Sequence, residues 1–377
     1  MHILIAPNAF KNSLSAEDAA LAVKQGLQMS KLKCTVTCFP IADGGDGTGS
    51  LIIKQCKGKV IKKEVHHPFG TKIMSQFGLI DNGKTAVVEM ADASGLRLLN
   101  KDELNPMLAS SAGTGELISF ALDEGVNKII IAMGGSATVD GGCGILAALG
   151  ARFFDRADNL LQPVPQGLAN LARIDISQLD ERVFDCEIIV LCDVNNKLLG
   201  PDGSAAIFGP QKGAGPEEVA RLEKFLVNLD DITGKQAGKR LSAMKYGGTA
   251  GGAAAGLSAF LNAKLVNGIG YFLQVTGFDA VLKKSNLLIT AEGSIDMQTL
   301  QGKGPFGVAE LAKKNDIPVI GLAGLIPLTE NIELNKYFDI LLAIGNGAED
   351  LPEALKHTRV NLVRTARVIG DLLSMKK

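Results

Sequence analysis

The chain opens on a short unbroken apolar run, HILIAP, then a polar loop, NAFKNSLS, then a segment from Ala16 to Leu27 whose apolar positions recur at helical spacing, then a second apolar run, CTVTCFPI. That order predicts strand, loop, helix, strand. Ser15 followed by Asp18 marks the helix start, a capping hydroxyl with an acid in the first turn. Apolar runs that do not alternate belong to strands covered on both faces, so this βαβ unit predicts central strands of a parallel sheet.

From about Gly58 the texture changes to alternating segments, VIKKEVHHPFG, TKIMSQFGLIDNG and KTAVVEMADASG, with hairpin chemistry at Asp81-Asn82-Gly83. An antiparallel meander is expected there. A helix near 107–124, the strand KIIIAM, a glycine-rich turn into a helix ending near Leu149, a hairpin near 151–161 and the strand CEIIVLCDV follow. Apolar strands near 286–290, 317–322 and 338–344, separated by helices, then return to the style of the opening and are expected to complete its sheet. The pattern predicts an α/β chain of two domains: residues 1–60 with 285–377 form one, and 61–284 form a second inserted into it.

Composition narrows the function. With 377 residues, 46% of them hydrophobic, the chain can bury a large core and favours two domains over one. Lys and Arg number 39 against 40 Asp and Glu, so no global field favours nucleic acid or an anionic membrane, and any anion site must be local. No basic leader and no apolar stretch of about 18 residues is present, so a cytoplasmic protein is expected. The six cysteines lack paired spacing and read as reduced core thiols. Of four histidines only His66 and His67 are close, and neighbours on a strand face opposite ways, which disfavours imidazole-bound metal. Forty-four glycines with no tryptophan point to working loops and away from base stacking.

Five polar or glycine-rich segments follow predicted strands, where open α/β sheets build ligand sites. In the first, Lys11 and Ser13 stand between a strand and a helix start, as an anion site or as an ordinary capped loop. In the second, Asp43-Gly44-Gly45-Asp46-Gly47, glycines would let amides approach phosphate and carboxylates would hold Mg²⁺; the other reading is a tight turn. In the third, Gly134-Gly135-Ser136-Ala137-Thr138 running on to Gly144 could wrap a triphosphate. A GxGxxA drawn from Gly142, Gly144 and Ala147 lies about nine residues beyond the strand, too far for a dinucleotide fingerprint. In the fourth, Asp193 at a strand end, continuing to Lys212, would bind magnesium or accept the proton of an attacking hydroxyl, or serve as a turn residue. The fifth gathers Glu292, Ser294, Asp296, Gln298 and Thr299 before Gly302-Lys303-Gly304-Pro305, which is not a Walker A loop. No GxSxG elbow and no protein-kinase signature set is present. Phosphoryl transfer needs amides and cations around phosphate, a metal ligand and a positioned base, and those residue types recur here.

Taken in order, AFKNSLSA, PIADGGDGT, GTGELI, GGSATVDGG, LCDV, FGPQKGA and EGSIDMQTLQGKGPFGVA resemble the motifs of the type 1 bacterial glycerate kinases over nearly the whole chain. The resemblance implies two α/β domains, a discontinuous Rossmann-like parallel-sheet domain and an inserted mixed-sheet domain, with ATP, Mg²⁺ and glycerate meeting in the cleft between them. It implies 2-phosphoglycerate or 3-phosphoglycerate as product, with the 2-phospho isomer favoured. A monomer or homodimer is expected, and the balanced charge and the lack of a long apolar stretch argue against a nucleic-acid or membrane partner. On this reading Asp193, Asp296 and Lys11 are the candidate catalytic residues. Asp193 acts as base or metal ligand, and Asp43 or Asp296 is a second acid near magnesium. Ser13, Asp43, Gly44, Gly45, Gly134, Gly135, Ser136, Thr138, Lys212, Gln298 and Lys303 would bind substrate or nucleotide, with Lys11, Lys212 and Lys303 facing the substrate carboxylate or ATP phosphates. The sequence departs from the pattern at Asn8 (Asp in relatives), Asp46 (Glu), Val139 (Asn) and Ser294 (Arg). Those departures leave open a nucleotide-binding regulatory protein, a weakly active relative, or a kinase for another small hydroxy acid. A nicotinamide dehydrogenase has only the displaced glycine trio behind it.

Overall fold

The opening apolar run forms strand His2–Ile5, an interior strand of an all-parallel five-stranded sheet in the order Ile340–Ala343, Val319–Leu325, Leu287–Ser294, His2–Ile5, Thr35–Cys38. Ile3, Leu4 and Ile5 are fully buried, which is why the run shows no alternation. The structure is a computed structural model that describes residues 1–297, 299–329 and 331–375. The chain packs as two units, Met1–Asp43 with Ile269–Lys377, and Gly44–Gly268.

Counting only its own strands, the first unit has the order 2-1-3-4-5 of doubly wound, Rossmann-like folds, and its chain order reverses between His2–Ile5 and Leu287–Ser294. Helix Ala16–Met29 begins where the Ser15 hydroxyl accepts the Asp18 N–H at 3.0 Å. Helix Leu351–Ser374 is capped likewise by Asp350, which accepts the Glu353 N–H at 3.0 Å. Ala19, Val23 and Leu27 of the first helix share one core with Leu362, Ala366 and Ile369 of the second. Gly26 lets the two backbones approach, because a Cβ there would lie 2.2 Å from the Val363 carbonyl oxygen and 2.7 Å from Ala366 Cβ.

The second unit is built on a mixed six-stranded sheet in the order Lys264–Asn267, Glu187–Cys192, Lys128–Ala132, Thr85–Glu89, Lys72–Ile80, Lys59–His66. Its first four strands are parallel, and Lys72–Ile80 runs antiparallel to both neighbours, completing the expected meander. The edge strand carries Lys59, Lys62 and Lys63, charges that discourage pairing with another chain. The hairpin expected near 151–161 takes another form. Arg152–Phe154 pairs with Arg173–Asp175, and only the single bridge from Phe154 to Leu160 forms locally. Pro163 and Pro165, just beyond, cannot donate to a ladder. Helix Thr48–Gln55 had no sequence signal beyond the glycine-rich segment before it, since eight residues are too few to show a period. Among the described residues no helix is long and apolar enough to cross a membrane, and all six cysteines are free.

The Gly26 contact makes a direct prediction: Gly26→Val should lower stability by about 3 kcal/mol through overpacking against backbone that cannot yield, read as a fall in the urea midpoint. An unchanged midpoint would show that the two helices are not held this closely.

Candidate active site

In the unit Gly44–Gly268, three loops converge beyond the carboxyl ends of the parallel strands Lys128–Ala132 and Glu187–Cys192. The Gly134 N–H donates to the Gly44 carbonyl at 3.1 Å. A Cβ at Gly134 would sit 2.2 Å from the Gly45 carbonyl carbon, so only glycine lets these two backbones touch. Gly44, at φ +102°, comes as close to the third loop: a Cβ on it would lie 3.2 Å from the Asp193 nitrogen. Thr48 pins the bend, its hydroxyl accepting the Gly44 N–H at 3.1 Å and donating to the Gly45 carbonyl at 2.7 Å. Glu89, buried at the end of its strand, accepts the N–H groups of Gly47 and Ser50 at the amino end of helix Thr48–Gln55. Burial pushes its pKa up, while the Gly47 amide and the Arg97 guanidinium oppose that rise. Arg97 in turn pairs with Asp46 at 2.5 Å and with Asp92.

These loops enclose a cavity of about 80 Å³ whose polar lining is Gly134, Gly135, Ser136, Asp193, Gln211 and Lys212. Lys212 is only 3% exposed. Its Nζ donates to the Ser136 hydroxyl at 2.9 Å and to the Thr138 carbonyl at 2.7 Å. Burial pushes its pKa down to about 7, against the pull of Asp140 and Asp193. An ammonium so poorly compensated gains from an incoming anion.

The rest of this glycine-rich segment is closed. Asp140, fully buried, accepts from the Ser111 N–H at 2.9 Å, the Ser111 hydroxyl at 2.7 Å, the Gly142 N–H at 3.0 Å and the Gly144 N–H at 3.2 Å. The amides that a dinucleotide pyrophosphate would need are therefore committed, which removes the physical basis of the dehydrogenase reading. Val139 is fully buried in the hydrophobic core. Thr138 is also fully buried; its carbonyl serves Lys212, and its hydroxyl has no hydrogen-bond partner among the described residues.

In the unit of Met1–Asp43 and Ile269–Lys377, Asn8, Asp43 and Glu292 come together at the carboxyl ends of adjacent parallel strands. The Asn8 amide donates to Asp43 Oδ2 at 3.0 Å and to Glu292 Oε1 at 3.3 Å. The Gly304 N–H, at the start of helix Gly304–Lys314, also reaches Asp43 Oδ2, at 3.3 Å. Glu292 is 8% exposed, and its Oε2 has no hydrogen-bond partner among the described residues. Burial, with the Asp43 charge behind it, pushes its pKa up to about 7; Lys303, Lys11 and the Asn8 hydrogen bond oppose the shift. Asp296 accepts the Ser294 hydroxyl at 3.0 Å, and its own N–H donates to the Thr299 hydroxyl at 3.0 Å. Lys11 is exposed on a turn whose next residue, Asn12, has φ 62°.

The sequence-predicted residues thus fall into two groups. Gly44, Gly45, Gly134, Gly135, Ser136, Asp193 and Lys212 meet around one cavity and its adjoining loop. Asp43, Lys11 and Lys303 act electrostatically on Glu292 in the other unit. Ser13 is placed otherwise: its hydroxyl donates to the Leu355 carbonyl at 2.6 Å and ties the loop to helix Leu351–Ser374. Gln298 lies outside the described residues. Glu292 was legible as an acid closing the apolar run LLITA but was not singled out. Glu89, Arg97 and Asp140 had no comparable signal, because each depends at least in part on a partner distant in sequence: Gly47 and Ser50 for Glu89, Asp46 for Arg97 and Ser111 for Asp140.

The Glycerate kinase family model matches residues 3–374 of this chain. The chain is 41% identical to a glycerate kinase of Bacillus subtilis (strain 168), over 100% of this chain and 99% of that protein. It is 39% identical to a glycerate 2-kinase of Escherichia coli (strain K12), over 100% and 98% respectively. Among solved structures it is similar to the crystal structure of a protein described as glycerate kinase 2 from Salmonella typhimurium LT2, at 40% identity and a TM-score of 0.83, covering 100% of this chain and 98% of that one. With the family model matched over residues 3–374 and relatives matched over their full length, this chain belongs to the glycerate kinase family.

Proposed function

We propose that the chain transfers the γ-phosphoryl group of ATP to the 2-hydroxyl of glycerate, using Mg²⁺. The observation that carries this reading is the small cavity where glycine backbone, Ser136, Asp193 and the buried Lys212 converge at the ends of parallel strands. The 2-phospho product rests on the name of the glycerate 2-kinase relative. Free cysteines suit a reducing compartment, here the cytoplasm.

The residues present fit both ATP and magnesium. Gly44 and Gly135 adopt positive φ at the loop contact, leaving backbone without side chains where phosphates would approach. Among the described residues no cluster of three or more metal-ligating side chains occurs. Magnesium in kinases needs only one or two carboxylates besides phosphate oxygens, which Asp43 and Asp193 would provide. When bound, the metal neutralises charge on the phosphates.

The chain's own groups then divide the work. Asp193 accepts the proton of the attacking hydroxyl or shares the metal. Lys212, held by Ser136 and the Thr138 carbonyl, directs an N–H into the cavity toward phosphate oxygens. Lys11 and Lys303 hold the carboxylate of glycerate, and Asp296, oriented by Ser294 and Thr299, is the second acid on that side.

The test is ADP formation from Mg-ATP with and without glycerate, with product coupled through enolase in the presence and absence of a phosphoglycerate mutase. A signal that needs no mutase identifies 2-phosphoglycerate. ATP binding with no glycerate-dependent ADP would instead favour a nucleotide-binding regulator.

Two further outcomes are expected. Asp193→Asn should lower kcat by about 10²-fold or more while ATP affinity, measured by calorimetry, is kept; wild-type turnover in the folded variant would remove Asp193 from the chemistry. Lys212 has a folded pKa of about 7, below its unfolded value, so the unfolded state binds the extra proton between the two. Its burial therefore costs most at and below pH 7, and the cost fades as pH rises toward the unfolded lysine pKa. Lys212→Met should show its greatest relative Tm near pH 7, with the difference from wild type shifting against the variant as pH climbs to about 10. A difference that does not vary with pH would show that Lys212 keeps an ordinary pKa.

A further inference from the structure

Glu292 leaves one carboxylate oxygen over. The residue closes a buried strand beside His2–Ile5, where the chain order of the doubly wound sheet reverses, the place where such sheets bind ligands. Asn8 holds Oε1, while the enclosed Oε2 has no hydrogen-bond partner among the described residues. Leaving a buried acceptor without a donor is costly, and native structures rarely keep one without a reason. The neighbouring donors are already engaged: the Asn8 amide serves both acids, and the Gly304 N–H serves Asp43. The two oxygens of a carboxylate exchange by rotation about its last torsion, so whichever one Asn8 does not hold is left for another donor.

In its ionised form Glu292 can only accept, so its missing partner must then carry an N–H or O–H. Lys11 and Lys303 are near enough to influence Glu292 electrostatically, and they suit the anionic end of the same small molecule. A ligand with a carboxylate at one end and a hydroxyl at the other satisfies both. We propose that Glu292 is the specificity-determining residue that accepts a hydrogen bond from the hydroxyl of glycerate that is not phosphorylated. This rests on the kinase reading above. It selects dihydroxy monocarboxylic acids: lactate lacks the donor, and tartronate presents a second carboxylate to the Glu292 charge.

The experiment measures kcat/KM for glycerate, lactate and tartronate with the wild type, Glu292→Gln and Glu292→Ala, after thermal melts confirm that each variant folds. A site built to accept a hydroxyl strongly rejects analogues without it. The wild type should prefer glycerate over lactate by roughly 10²-fold or more, and Glu292→Ala should lose most of that ratio by losing glycerate turnover. Glu292→Gln, which keeps an acceptor oxygen and gains a donor, should stay within about tenfold of wild type on glycerate and gain on tartronate. An active wild type whose preference survives intact in both variants overturns the inference while leaving the kinase reading standing. A wild type that does not phosphorylate glycerate at all refutes the kinase reading, and the inference with it.

Discussion

Parallel strands deliver all their carboxyl ends to one edge of a sheet, and the candidate acids and glycine loops of this chain depart from such edges. In one unit the edge brings Asn8, Asp43 and Glu292 within hydrogen-bond reach of one amide. In the other it brings Gly134 and Asp193 to the same small cavity. The buried apolar runs of Ile3–Ile5 and Ile129–Ile131 are therefore more than core filling. They fix the positions from which short polar loops depart, and those loops have little freedom once glycine contacts such as Gly134 on Gly45 close them.

On that edge, buried charges separate into two kinds. Asp140 has four donors and Glu89 has two backbone amides with Arg97 nearby, so both are satisfied by protein and serve to hold loops. Lys212 and Glu292 are incompletely satisfied. Two of the three N–H donors of a lysine ammonium are committed at Lys212, and one of the two oxygens at Glu292. The same burial that would be a defect in a core makes each responsive to a ligand of opposite character, an anion for the lysine and a hydroxyl donor for the glutamate.

The fold class was legible because unbroken apolar runs and alternating runs have different causes, burial on two faces and on one. The candidate loops were legible because glycines and acids directly after apolar runs stand where open α/β sheets build ligand sites. What stayed hidden was which groups the protein itself satisfies. Asp140 and Asp193 look alike in sequence, each an acid in a polar stretch after a strand, yet Asp140 is closed off by Ser111, Gly142 and Gly144 while Asp193 lines a cavity. Ser13 had the signature of an anion contact and instead anchors a carbonyl of helix Leu351–Ser374. Such outcomes turn on partners such as Ser111 for Asp140 and Leu355 for Ser13, tens to hundreds of residues away, which local pattern cannot weigh.

The departures from the family pattern also change meaning once their surroundings are known. Val139 sits in the hydrophobic core, so no polar group is lost from the cavity there. Asp46 keeps its charge in the pair with Arg97, and Ser294 holds Asp296 through its hydroxyl. Asn8 is the most consequential. Its amide lies between two carboxylates and donates to both; an aspartate in its place would add a third negative charge and remove both donors, so the group would need a proton or a cation to persist. With asparagine the two acids are held near each other by a neutral side chain. One of them keeps an oxygen for a partner that the protein does not supply.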